Sequence, residues 1–244
     1  MKIALIGYGN MGQEIEQLVH ENTEHTIVSV SYDGKKMLDK EGILSADWAI
    51  DFTAPDIVIE NIAVVASLGV DMVVGTTGWY DQMDKVKKIV RKHKIGLIYG
   101  QNFSVGANIF FKIIEYSSQL FERYEQYDTY GFEVHHSGKK DSPSGTAKKL
   151  AEIILKNIAR KKSLQTGRLD RQIKSDELHF TSVRAGRNPG MHTISFDSLA
   201  DEITLTHQAH GRRGFAEGAL LAAEFIKNKK GLFRFDELFA EEVK

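Results

Sequence analysis

The sequence predicts an α/β protein with a doubly wound parallel sheet, followed by a second α+β domain carrying a mixed or antiparallel sheet. Three observations predict it. A buried-strand pattern at Lys2–Ile6 runs straight into a glycine-rich turn and a helix. Apolar strand-like runs then alternate with helical patterns up to about residue 105, the rhythm of a parallel sheet with crossover helices. Beyond Ala107 the rhythm changes to a long helix, a strand, another helix and three β-rich runs.

At 244 residues the chain suits one large domain or two small ones. Hydrophobic residues at 42% and charged residues at 27% are ordinary for a globular protein. The formal net charge of −1 gives no reason to expect a nucleic-acid partner. With no cysteine, disulfides, thiol nucleophiles, iron–sulfur clusters and cysteine zinc sites are excluded. No apolar run approaches the roughly 20 residues of a membrane helix, so no membrane partner is expected. The N-terminus enters a strand at once rather than a signal peptide, and a cytoplasmic location is expected.

Taken in order, the first strand opens on Gly7-Tyr8-Gly9-Asn10-Met11-Gly12, a full G-x-G-x-x-G in the strand–turn–helix context that gives the motif meaning. Gly7 permits the tight turn, Gly9 lets the backbone approach a pyrophosphate, and Gly12 lets helix and strand pack closely. All six residues are therefore candidate dinucleotide contacts, in a Rossmann-like unit. The helix runs through Gln13 to Glu21. Thr26 to Tyr32 is β-rich, and Asp33 stands at its end, 21 positions beyond Gly12, about where an acid meets the adenosine ribose. A nucleotide-free α/β unit with tight turns is the alternative.

Trp48 to Thr53 is the next strand, and Pro55 opens a helix that closes near Gly69. Val70 to Val74 is a strand ending in Gly75-Thr76-Thr77-Gly78. Asp81 to Lys92 is a helix, basic on one face. Ile95 to Tyr99 is a strand ending in Gly100-Gln101-Asn102-Phe103-Ser104. Ligands of doubly wound sheets bind beyond the carboxyl ends of the strands. Gly75, Thr76, Thr77, Gly100, Gln101, Asn102 and Phe103 lie there and join the candidate cofactor residues.

In the second part, a helix from Ala107 to Phe121 and a strand from Tyr130 to His135 lead into Glu133-Val134-His135-His136-Ser137-Gly138-Lys139-Lys140-Asp141-Ser142-Pro143-Ser144-Gly145-Thr146. Imidazole and ammonium groups both deliver protons, and the N–H groups of a helix start can hold an anion. Together they suggest chemistry on a carboxylate or phosphate. A solvated loop before a capped helix fits the stretch equally well on its own. Neighbouring strand residues point to opposite faces, so His135 and His136 make a poor metal site, and no metal is expected. Glu133 shares the face of His135 and reads as structural.

Thr146 to Lys161 is helical, with a packing stripe of Leu150, Ile153, Ile154 and Ile158. Residues 163–177 read as a polar surface loop. Leu178 to Arg184, His192 to Phe196 and Glu202 to Gln208 read as strands. The first two flank the Gly186–Gly190 turn as a meander, and His192 and His207 read as packed histidines. His210, Arg212 and Arg213 form a basic turn suited to an anionic substrate. Phe215 to Lys227 is a helix. The expected division is 1–106 for the dinucleotide, 107–213 for substrate binding and oligomerisation, and 214–244 as a C-terminal helix.

The chain resembles the 4-hydroxy-tetrahydrodipicolinate reductase family, also called dihydrodipicolinate reductases, of the diaminopimelate and lysine pathway. The likeness is carried by His135-His136-x-x-Lys139-x-Asp141-x-Pro143-Ser144-Gly145-Thr146, by Gly75-Thr76-Thr77-Gly78 and by Asn102-Phe103-Ser104-Val105-Gly106. Ser182-Val183-Arg184-Ala185-Gly186, His192-Thr193, and Thr206-His207 with Arg212 and Phe215-Ala216 add to it. The resemblance implies hydride transfer from NADH or NADPH to a cyclic unsaturated dicarboxylate. It implies that His135 donates or accepts a proton and that Lys139 donates the proton completing ring reduction. It further implies that His136, Ser144, Gly145 and Thr146 hold substrate carboxylates and that Arg212 shapes the pocket. A homotetramer built through the second domain, and a final helix returning to the first, are also implied.

Two departures concern the cofactor. The glycine turn lacks the extra residue and the Arg that often precede the Met. Asp33 is followed by Gly34, Lys35 and Lys36 instead of Arg. Asp33 favours a free ribose hydroxyl, whereas Lys35 and Lys36 either attract a 2′-phosphate or form a solvated turn. Two other readings are a related amino-acid or imino-acid dehydrogenase and a dinucleotide-sensing regulator. The regulator would need a partner-binding element such as a basic recognition helix, and no such pattern is visible.

Overall fold

The computed structural model describes residues 1–21, 24–32 and 38–239. The chain divides into two units, Met1–Val105 with Arg212–Lys244, and Gly106–Gly211. The first contains β1 (Lys2–Ile6), α1 (Asn10–Glu21), β2 (Thr26–Ser31), α2 (Lys40–Leu44), β3 (Trp48–Asp51), α3 (Val58–Ser67), β4 (Asp71–Val74), α4 (Met83–His93) and β5 (Gly96–Tyr99). Then come α5 (Val105–Phe121), β6 (Asp128–His135), α6 (Gly145–Asn157), β7 (Ser163–Gln165), β8 (Glu177–Arg184), β9 (Met191–Asp197) and β10 (Glu202–Gln208). The chain finally returns to the first unit with α7 (Arg213–Phe225) and β11 (Gly231–Arg234).

The first sheet has the order β11-β5-β4-β3-β1-β2, every pair parallel. Its inner strands are largely apolar on both faces, as a sheet covered on both sides requires. Ile3 and Leu5 pack with Ile15 and Leu18 of α1 and with Ala219 and Leu220 of α7. Ala4 and Ile6, one residue out of phase, pack with Ile59 and Ile62 of α3 and Val86 and Val90 of α4. Each Val, Leu or Ile side chain among these, when fully buried, contributes about 1.5–3 kcal/mol. Helix ends follow backbone rules. Gly69 lies just past α3 at φ +76°, and α4 ends on Lys94 in the left-handed region behind Arg91, Lys92 and His93.

The second sheet has the order β10-β9-β6-β8-β7. β6 pairs antiparallel with β9 and parallel with β8, so the sheet is mixed. Phe180, Ile194 and Phe196 on one face bury Phe110 and Ile114 of α5 and Leu150 and Ile154 of α6.

Several expectations are corrected here. β8 and β9 are not a hairpin, because β6 lies between them. The stretch 163–177 is not all loop, since Ser163–Gln165 pairs in parallel with β8. α6 stops at Asn157 rather than Lys161, although Ile158 stays buried. There Arg160 donates to the carbonyls of Phe121 and Tyr127, and Lys161 to those of Ser175 and Glu177, which draws the segment out of the helix. The C-terminal segment is not helix alone, because β11 completes the first sheet.

Candidate active site

The glycine turn explains itself residue by residue. Gly7 adopts φ +91°, and a Cβ there would sit 2.4 Å from the Phe52 carbonyl oxygen. A Cβ on Gly12 would sit 2.4 Å from the carbonyl oxygen of Gly7. Packing within the unit thus demands both glycines. A Cβ on Gly9 would meet nothing within 4 Å. The protein itself does not need a glycine there, so the open space fits a ligand that approaches the backbone closely, as a pyrophosphate does. Asn10 is exposed beside it, at the start of α1, while Tyr8 and Met11 are half-buried. Tyr8 donates to Glu16 and stacks edge-on against Tyr32 at 4.9 Å.

Beyond the ends of β3 and β4, the loops are tied by a buried acid. Asp51 accepts from the Thr53 N–H at 3.0 Å, the Thr53 hydroxyl at 2.8 Å, the Thr76 hydroxyl at 2.7 Å and the Asn61 amide at 2.8 Å. Burial pushes its carboxyl up, and these hydrogen bonds oppose that. Thr76 therefore spends its side chain on the scaffold, while Thr77 is exposed. Gly75 and Gly100 are also required by packing, against the Phe52 ring and the Phe235 side chain. Gln101 is exposed, and the Asn102 Oδ1 accepts from the Ser104 N–H at 2.8 Å. Phe103 is a core residue in tilted contact with Phe235 at 4.6 Å, and its carbonyl packs against Gly218 of α7. Asp33, Lys35 and Lys36 lie outside the described residues.

In the second unit, β6 ends in a buried polar cluster. Register sets Glu133 between Ser182 of β8 and His192 of β9, with His135 opposite Arg184. The Glu133 Oε1 accepts from the Ser144 N–H at 2.9 Å, the Ser182 hydroxyl at 2.8 Å and the Arg184 guanidinium at 2.7 Å. Its Oε2 lies 3.2 Å from His135 Nδ1 and 3.3 Å from His192 Nε2. These three side chains also bring ligand-capable atoms within 4.8 Å of one another, but the Arg184 charge already sits on the same carboxylate. Arg184 also donates to the Asp141 carbonyl, tying down the loop. Lys139 pairs with Asp141 at 2.8 Å, and its side chain is 25% exposed. His136 is exposed, its N–H donating to the Asn188 carbonyl.

Ser144 is the N-cap of α6. Its hydroxyl accepts from the Ala147 N–H at 3.1 Å and lies 3.1 Å from His192 Nε2. Its side chain thus caps the helix start. A Cβ on Gly145 would meet nothing within 4 Å, and Thr146 follows it in the first turn. Arg212 is exposed at the N-cap of α7 and belongs to the first unit.

Burial would raise Glu133, but the close His192 imidazole and the Ser144, Arg184 and Ser182 donors hold it well below the usual carboxylate range. Burial pushes His135 down to about 4, with the Glu133 charge resisting. The folded protein therefore binds fewer protons here than the unfolded chain below pH of about 6.5, the ordinary histidine value. Stability from both groups is complete above that pH and is lost as pH falls. Thermal unfolding of the full chain should lose Tm steadily between about pH 6.5 and 4 at fixed ionic strength. His135→Gln should flatten that slope; an unchanged slope would mean that His135 is not buried neutral.

Sequence reasoning missed Asp51 as part of the site, and took Ser182 and Arg184 only as part of a family motif, without a role there. The one available signal for Asp51 was a charge closing the apolar run Trp48-Ala49-Ile50. Comparison with known proteins agrees with both units. Residues 1–103 match the family described as dihydrodipicolinate reductase, N-terminus, and residues 106–239 its C-terminus. The 4-hydroxy-tetrahydrodipicolinate reductase of Christiangramia forsetii is 38% identical over 241 residues, 99% of this chain and 98% of that protein. That of Methanosarcina acetivorans is 33% identical, over 97% of this chain and 88% of the relative. Among solved structures, a dipicolinate-bound dihydrodipicolinate reductase from Paenisporosarcina sp. TG-14 shares the fold with a TM-score of 0.78 at 24% identity, covering 98% of this chain and 99% of its own. A probable dehydrogenase from Thermotoga maritima shares it at a TM-score of 0.54 and 11% identity, covering 93% of this chain and 88% of its own. Matched along both units and over almost their whole length by its relatives, the chain belongs to the dihydrodipicolinate reductase family.

Proposed function

We propose that this chain reduces a cyclic unsaturated dicarboxylate with NADH or NADPH, giving tetrahydrodipicolinate in diaminopimelate and lysine biosynthesis. The observation that carries this reading is the loop holding His135 and Lys139, which leads directly into the open helix start at Gly145. The dinucleotide supplies a hydride when bound. Gly7, Tyr8, Gly9, Asn10, Met11 and Gly12 would hold its phosphates, with Asp33 at the ribose and Gly75, Thr76, Thr77, Gly100, Gln101, Asn102 and Phe103 around the remaining strand ends. Reduction of one double bond adds a hydride to one carbon and a proton to its neighbour. Lys139 donates that proton, and Asp141 beside it keeps the ammonium in place. His135, neutral at pH 7, handles a proton through an uncharged ring. His136, Gly145 and Thr146 bind the substrate carboxylates, with the α6 dipole favouring negative charge. Ser144, the N-cap of that helix, binds the carboxylates with them, and Arg212 binds substrate as the family resemblance implies.

A homotetramer in the cytoplasm, with no nucleic-acid partner, completes the reading. The tetramer is supported by Tyr130 and Val183, large exposed side chains that alternate with core residues along β6 and β8. Among the described residues, no helix is long and apolar enough to cross a membrane.

A coupled assay with freshly made aldolase product, following nicotinamide absorbance, tests the activity. Oxidation that depends on this substrate is expected. Oxidation with amino acids instead would point to a related dehydrogenase, and dinucleotide binding without turnover to a sensor. NADH should be accepted, and NADPH should compete well only if Lys35 or Lys36 reaches the 2′-phosphate; because exposed ion pairs are worth about 0–1 kcal/mol each, dual use with a modest bias is expected. Replacing both lysines with alanine should raise KM for NADPH and spare that for NADH. An equal effect on both would mean that these lysines do not read the 2′-phosphate.

A further inference from the structure

We propose that Glu133 is a positioning residue for His135: it fixes the imidazole with its proton on Nδ1 and leaves Nε2 as the nitrogen offered to the substrate. This rests on the reading of His135 as the proton-handling group. The two oxygens of Glu133 have different surroundings. Oε1 takes three donors, from Ser144, Ser182 and Arg184. Oε2 is fully buried with no aligned hydrogen bond, and two imidazole nitrogens stand against it, His135 Nδ1 at 3.2 Å and His192 Nε2 at 3.3 Å. An ionised carboxylate only accepts hydrogen bonds. A neutral imidazole facing it must turn an N–H toward it, since two lone pairs would repel and leave a buried acceptor unpaired. The proton therefore sits on Nδ1.

The far side of the ring agrees. His135 Nε2 lies against Gly190, which adopts φ +148°. A Cβ at 190 would stand 3.1 Å from Nε2, so glycine keeps that nitrogen uncrowded. Among the described residues, Lys139, Arg184 and His192 also act on His135, and each opposes a positive charge on the ring. Glu133 is the one anion among them. Because its Oε1 also holds the Ser144 N–H, a single carboxylate sets both the imidazole and the first residue of the α6 cap.

Glu133→Gln tests this in a way that a merely supporting role would not satisfy. The three donors at Oε1 require the amide oxygen there. The amide nitrogen then replaces Oε2 and donates toward His135 Nδ1, which must give up its proton. In the full-length protein without substrate, long-range ¹H–¹⁵N spectra of the histidine rings should show His135 as the Nδ1–H tautomer at pH 7. In Glu133→Gln it should switch to Nε2–H. A wrong tautomer elsewhere costs on the order of 10⁴-fold in turnover, and a kcat loss of at least about 10²-fold is expected here, with KM for the dinucleotide unchanged. An Nε2–H tautomer in the unsubstituted protein overturns the proposal, even if the variant fails to fold. So does a variant that keeps both tautomer and kcat. The ring spectra are read without turnover, so a failure of the proposed reaction would show in the coupled assay and leave them unaffected.

Discussion

Alanine at Lys139 or at His135 is expected to cut turnover by about 10²–10⁴-fold, the range for losing a positioned proton-transfer group. Dinucleotide affinity should stay near normal, because both residues belong to the second unit and the glycine turn to the first. The two losses should differ in character. Lys139 is partly exposed and held by one exposed acid, so its removal leaves a solvated Asp141 and little structural damage. His135 is buried against Glu133, and its removal leaves a cavity beside a carboxylate oxygen that already lacks an aligned partner. His135→Ala should therefore also lower Tm, whereas Lys139→Ala should not. Steady-state kinetics with calorimetric titration of the dinucleotide separates these effects. Near-normal turnover in both folded variants would sink the assignment.

Valine at Gly9 should abolish most dinucleotide binding while the protein stays folded. The space around a Cβ at this position is empty, so the branched side chain meets no protein atom at its root. It would instead fill the volume that a pyrophosphate needs against the backbone. The same change at Gly7 or Gly12 would be uninformative, because there a Cβ collides with carbonyl oxygens and the turn itself must break. Calorimetry should show a binding loss with an unchanged unfolding transition. Unchanged affinity in the folded variant would place the dinucleotide elsewhere.

The first unit was largely legible because its signals are local. A strand, a glycine turn and a helix lie within about twenty residues, and the alternation of Ile3 and Leu5 against Ala4 and Ile6 needs no distant partner. The Pro55 and Gly69 punctuation bracketed a helix that begins three residues after the proline. What stayed hidden depends on pairing across the chain. β7 (Ser163-Leu164-Gln165) and β11 (Gly231-Leu232-Phe233-Arg234) lack the apolar run that marked the equally short β3, β4 and β5. The insertion of β6 between β8 and β9 was masked by the turn joining the latter two. In the candidate site, the motif residues stood out by type and order. Their supports did not, because Glu133 meets Ser182 and His192 only through strand register. The family resemblance gives Ser144 as a carboxylate ligand, and the folded cap adds what the sequence did not show, that its hydroxyl also meets Ala147 and His192.

The return of α7 and β11 to the first sheet has a consequence for synthesis. Ribosomes add about 5–20 residues per second, so the segment Gly106–Gly211 takes roughly 5–20 s to appear after β5 has emerged. Throughout that interval β5 presents an unpaired edge, and the layer that Ala219, Leu220 and Ile226 will cover is bare. Such edges and apolar faces invite association with other chains. The nascent chain must therefore carry an unfinished domain while a complete one forms behind it. Lys230 later closes on Asp71 at 2.7 Å, and Phe235 on Phe103. The glycine turn thus waits for a segment made after the whole second unit before its supporting sheet is whole.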